Sequence, residues 1–107
     1  MCLTEPHCGS DVGLLNTRAE PHADGSYRIS GTKIFISSGN TILPKTSPPG
    51  PARLPDPPGD QGNFVICGAK KIGGRTKPVV CGAIEDKMGI HGNATACCTL
   101  KRVAATW

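Results

Sequence analysis

The sequence predicts an all-β domain interrupted by one irregular, proline-rich stretch, and three observations predict it. Apolar and polar residues alternate with a period of two between Tyr27 and Ile36. Short apolar runs are separated by Gly and Asp turn signals. No segment carries the i, i+3, i+4 spacing of an amphipathic helix.

The first strand is expected in "LLNTRAE", where Leu15, Thr17 and Ala19 fall on one face. "HADGSY" follows as a hairpin turn, because Asp24 and Gly25 tolerate the left-handed backbone that such turns need. "SYRISGTKIFIS" is the strongest strand, with Tyr27 and Ile29 in one half, Ile34 and Ile36 in the other, and a kink expected at Gly31 and Thr32. Residues 40–61 differ in kind: seven prolines lie between Pro44 and Pro58, each without a backbone donor, so a central strand is excluded there and an extended linker is expected. From Gly62 the runs "NFVICGA", "KPVVCGAI" and "CCTLKRVAATW" return to strand character, with Val79, Val80 and Ile84 in strands and Gly82, Gly89 and Gly92 marking turns.

Composition narrows the function. A chain of 107 residues is a single domain, and with aromatics at 4% its core must be thin. The net charge of +4 has one basic cluster, Lys70, Lys71, Arg75 and Lys77, with no aromatics interleaved, so nucleic acid is not the expected partner. No apolar run is long enough to span a bilayer. No apolar leader segment follows Met1, so a cytoplasmic setting with reduced thiols is expected for the six cysteines. Neither a C-x-x-C pair nor an H-x-x-x-H spacing occurs, so no metal site is expected.

Three ordered stretches, "CLTEPHCGSDVGLL", "ADGSYRISGTKIFISSG" and "EDKMGIHGNAT", resemble the middle domain of the acyl-CoA dehydrogenases. That family carries T-E-P-x-x-G-S-D, then G-x-K-x-x-I-[ST]-x-[GA], then K-M-G-x-x-G-x-x-T in this order within a small β-barrel. Cys8 and "HGNAT" are similar to the subgroup that includes the 3-methylthiopropionyl-CoA dehydrogenases. The resemblance implies a partial, incomplete β-barrel over residues 1–107: well matched over 1–39, divergent and Pro-rich over 40–61, and divergent again over 62–107. It implies FAD as cofactor, with Leu3, Thr4, Phe35 and Ser37 along the isoalloxazine, and an acyl-CoA substrate met by Ser10. It also implies oxidation of the thioester to the 2,3-enoyl-CoA with hydride passing to flavin N5. The intact family adds an electron-transfer acceptor and homo-oligomeric assembly. Its carboxylate base comes from a helical domain that this chain lacks; Glu5 and Glu85 are no substitutes, so no catalytic residue is assigned and the isolated chain is expected to be inactive.

The departures suggest a truncated and locally frame-shifted relative. Family members often read G-I-S-L-F-V-V-P-K after the linker, and one adenine inserted after the first codon yields G-N-F-V-I-C-G-A-K, the residues from Gly62 to Lys70. A non-functional remnant is the alternative, as is a small interaction module whose proline segment docks on an aromatic groove.

Overall fold

The computed structural model describes residues 1–37, 50–55, 64–69 and 79–106, with backbone alone for 64–69 and Thr106. The described residues form six strands: β1 (Arg18–Pro21), β2 (Tyr27–Ile36), β3 (Gly50–Arg53), β4 (Phe64–Ala69), β5 (Val80–Ile84) and β6 (Ala96–Thr106). A single 3-10 turn, Val12–Leu14, is capped by the Asp11 carboxylate, which accepts the Gly13 N–H at 2.9 Å. The all-β expectation holds.

β1 and β2 form the expected hairpin. His22 N–H bonds to the Ser26 carbonyl at 2.8 Å and Gly25, at φ 76°, takes the left-handed position. Leu15, Thr17 and Ala19 are all buried as the sequence implies, although the ladder itself begins only at Arg18.

β2 is the long wall of the sheet and runs antiparallel to β6. The partner register shifts twice along this pair. Between Ile29 and Gly31 the extra residue belongs to β6, where Arg102 has φ 52°; between Lys33 and Ile36 it belongs to β2, where Phe35 has φ 54°. A β-bulge places two residues opposite one and re-aims the side chains beside it. One irregularity therefore falls where the Gly31–Thr32 kink is expected, and a second lies at Phe35.

Two expectations need correction. Gly50–Arg53 lies inside the proline-rich stretch yet forms a strand between β1 and β4. Backbone parity permits it: Arg53 N–H bonds to the Thr17 carbonyl, so Pro51, two residues away, turns its donorless nitrogen to that same side, where β1 pairs only at Arg53. The Pro51 carbonyl is taken by the Lys33 ammonium instead, at 3.1 Å. Residues 40–49 and 56–61 lie outside the described residues. Gly82, expected at a turn, lies within β5, where the register shifts between Cys81 and Ile84 and an extra residue is accommodated.

Pairings run from β2 through β1, β3 and β4 to β6, and β6 pairs again with β2, while β5 flanks β6 as an edge strand. Among the described residues β1 meets β3 at one residue pair and β4 meets β6 at two. The sheet is therefore a partial barrel, not a closed one. Its core is built from small side chains: Ala19, Ile29, Ala52 and Ala105 form one cluster, and Cys2, Ile36 and Cys98 another. Small residues let strands approach closely but bury little area each, as the scarcity of aromatics requires.

Candidate functional site

The N-terminal segment folds back on itself and onto β2. Glu5 and Cys8 exchange both backbone hydrogen bonds, at 2.8 and 3.1 Å, closing a turn around Pro6 and His7. Ile34 then donates its N–H to the Thr4 carbonyl at 2.9 Å, which lays the start of the chain along β2. Gly50 makes room for that approach, because a Cβ there would lie 2.6 Å from the Cys2 carbonyl oxygen.

Beneath this surface lies a buried ion pair that sequence reasoning missed. Lys33 and Glu5 are 1% and 2% exposed, and the ammonium sits 2.7 Å from Glu5 Oε1. Lys33 also donates to the carbonyls of Leu3 and Pro51. The Glu5 carboxylate accepts the N–H groups of Asn16 at 2.7 Å and Thr17 at 3.1 Å. One charge pair thus ties together the opening segment, the approach to β1, β2 and β3. No local signal marks the pair, because the carboxylate that meets Lys33 lies 28 positions earlier in the chain.

Burial pushes the Glu5 carboxyl upward, but hydrogen bonds from Lys33, Thr17 and Asn16 outweigh it, and its pKa lies below the ordinary value. A group whose folded pKa is depressed stabilises the fold fully above its unfolded pKa and progressively less below it. Stability is therefore expected to be flat above about pH 4.5 and to fall as acid titrates Glu5. Circular dichroism during an acid titration checks this, and Glu5→Gln should blunt the acid transition.

The Thr4–Ile34 backbone hydrogen bond relates four of the five residues expected at a flavin and thioester surface. Leu3 and Thr4 are half-buried on one side of it; Phe35 and Ser37 follow on the other, Phe35 49% exposed and Ser37 exposed. Gly9 packs near Thr4, a Cβ at Gly9 lying 4.0 Å from Thr4 Cγ2, so Ser10 is next in chain to the same place. Ile36 turns inward to the Cys2 and Cys98 cluster. Phe35 stands out physically: a non-glycine residue held in the left-handed region, with an aromatic ring left in solvent, stores backbone strain of about 1–3 kcal/mol. Folding alone gains nothing from that arrangement, whereas a flat ring system docking there would.

The K-M-G motif forms an exposed loop organised from within by Lys87. Its ammonium donates to the carbonyls of Ile90 and Asn93, both at 2.8 Å, and to the Thr95 hydroxyl at 2.9 Å. Met88 and Ile90 are left in solvent. The loop lies at the start of β6, whose Ala96 pairs with Ile36 of β2.

Glu5, His7 and Cys8 offer ligand atoms within 4.8 Å of one another. The carboxylate is already committed to Lys33, Asn16 and Thr17, and His7 Nε2 to the Leu14 carbonyl at 2.8 Å, so we assign them no metal. Among the described residues no helix is long and apolar enough to cross a membrane.

No family model matches the chain. Individual proteins do. A 3-methylmercaptopropionyl-CoA dehydrogenase of Ruegeria pomeroyi is 38% identical over 104 residues, covering 90% of this chain and 18% of its own length. The solved butyryl-CoA dehydrogenase of Megasphaera elsdenii superposes with a TM-score of 0.74 at 33% identity, over 97% of this chain and 25% of that one. A Bacillus anthracis acyl-CoA dehydrogenase complexed with FAD superposes with a TM-score of 0.73 at 25% identity, over 98% of this chain and 16% of that one. The chain thus spans less than a fifth of the curated relative's length and up to a quarter of the two solved chains. Over that span, in sequence and in fold alike, it belongs to the acyl-CoA dehydrogenase family.

Proposed function

We propose that this chain supplies part of the flavin and acyl-CoA surface of an FAD-dependent acyl-CoA dehydrogenase. The observation that carries the reading is the bulge at Phe35, which holds an aromatic ring in solvent one residue beyond Ile34, whose N–H the Thr4 carbonyl accepts. In this reading Leu3, Thr4, Phe35 and Ser37 would hold the flavin, Phe35 offering an aromatic face and Thr4 and Ser37 hydroxyl donors of the kind that favour the electron-rich reduced ring. Ser10 meets the CoA portion of the substrate. When bound, FAD accepts the hydride removed from the β-carbon of the acyl thioester.

The chain's own residues bind and orient, and we assign none of them as the base. Glu5 is locked in its ion pair and held ionised below the usual range, with Lys33 occupying the oxygen that would take a proton. Glu85 is half-buried and belongs to the strand-to-loop junction, its N–H on the Thr95 carbonyl. In this reading the α-proton would leave to a carboxylate supplied by another part of the enzyme. Residues 1–107 make up one unit in this proposal, which also places it in the cytoplasm and gives the assembled enzyme a separate electron acceptor. The frame-shift proposal for Gly62 to Lys70 rests on codon arithmetic, and resequencing across the locus tests it.

Titrating FAD into the purified chain while following flavin fluorescence tests the surface. Saturable quenching is expected, and Phe35→Ala should weaken it by several-fold, since an aromatic stacking contact contributes about 1 kcal/mol. Absence of quenching, or identical titrations for wild type and variant, would favour a remnant that holds no flavin.

A further inference from the structure

We propose that Cys81 and Cys98 form a thiol–disulfide exchange site, which low-molecular-weight disulfides oxidise to a covalent bridge between β5 and β6. The two residues are direct partners in the antiparallel register. Opposed residues in such a pair project to the same face, with Cα atoms about 4.5–5.5 Å apart, within the range that a disulfide spans. Neither is committed elsewhere, as both are free thiols.

Burial divides the roles. Cys81 is half-buried on the edge strand and reachable from solvent, whereas Cys98 is 5% exposed beneath it. The Cys81 thiolate attacks one sulfur of the incoming disulfide, releasing one small thiol and leaving a mixed disulfide on Cys81. Cys98 then gives its proton to solvent and attacks the Cys81 sulfur; the protein S–S bond forms and the second small thiol departs. Two protein thiols are oxidised and one small disulfide is reduced to two thiols.

Neighbouring thiols are excluded by geometry. Cys97 precedes Cys98 in the strand, so its side chain projects to the opposite face, where it packs against Gly82. Cys2 joins the Cys98 cluster but is itself buried, and no strand register pairs the two. Burial, and then the nearness of Cys81, Cys2 and Cys97, push the Cys98 thiol up to about 11, which slows its attack near neutral pH but makes it a poor leaving group once bridged. Among the described residues β5 is the edge of the sheet, and the bridge fixes it to β6 beside its own register shift.

The test treats the full reduced chain with oxidised glutathione and reads intact mass and non-reducing peptide maps. The expected product has lost two hydrogens, carries no glutathione, and yields one linked pair of peptides containing Cys81 and Cys98. Cys98→Ser should trap a single glutathione on Cys81, Cys81→Ser should leave Cys98 unmodified, and Cys97→Ser should bridge like the wild type. A bridge mapping to another pair, a statistical mixture of pairs, or a lasting glutathione adduct on Cys81 of the wild type would overturn the proposal.

Discussion

Replacing Lys33 by methionine is expected to cost about 3–5 kcal/mol, enough to bring a domain of this size to the edge of unfolding. Methionine keeps most of the volume, so the loss isolates the charge. Without the ammonium, Glu5 stays 2% exposed beside two carbonyls, those of Leu3 and Pro51, that have lost their donor. Breaking a buried pair from one side is far more costly than removing both partners, because the remaining charge keeps its desolvation penalty. The double variant Glu5→Gln, Lys33→Met should therefore recover part of the loss, its single amide oxygen still able to accept from one of Asn16 and Thr17, which the carboxylate holds through separate oxygens. Urea denaturation measures all three chains. A single variant within 0.5 kcal/mol of wild type would mean that the pair does not staple the fold.

Gly31→Ala is the second large effect, expected at about 3 kcal/mol from overpacking. A Cβ there would lie 2.3 Å from Thr17 Oγ1 and 2.9 Å from Thr17 Cα, so moving the threonine side chain would not clear the clash. Nor can the backbone withdraw, because Thr17 N–H is held by Glu5 and its carbonyl by Arg53. The strain thus passes directly into the ion-pair hub, and Gly31→Ala and Lys33→Met should be less than additive when combined. A thermal midpoint unchanged by Gly31→Ala would show that β1 and β2 are not held this close.

Much of the fold was legible because the local signals agreed with the tertiary outcome. Asp24 and Gly25 made the hairpin, and Leu15, Thr17 and Ala19 shared a buried face. The alternation through Tyr27 and Ile29 marked β2. What was not legible depended on partners distant in sequence. Pro51 is tolerated in a strand only because β1 stops short of it, which no count of prolines can reveal. Gly82 reads as a turn in isolation and proves to be a widening in β5 opposite Cys97. Lys33 looks like a solvated charge until Glu5, 28 positions earlier, is folded onto it. Leu3, Thr4, Ser10, Phe35 and Ser37 were named by resemblance; the left-handed backbone at Phe35, which makes the site physically distinctive, arises from a register that involves β6.

The two irregularities in the β2–β6 ladder cancel. Between the Tyr27–Ala105 and Ile36–Ala96 pairs both strands consume the same number of residues, although each carries one extra along the way. Deleting Phe35 would leave Lys33 and Ile36 two residues apart, in step with Cys98 and Ala96, and deleting Arg102 would likewise bring Val103 and Leu100 into step with Ile29 and Gly31. In genetic terms the two positions are independent: either deletion should leave the pairs at both ends of the ladder in place, and only loss of Phe35 removes the ring that the strand presents.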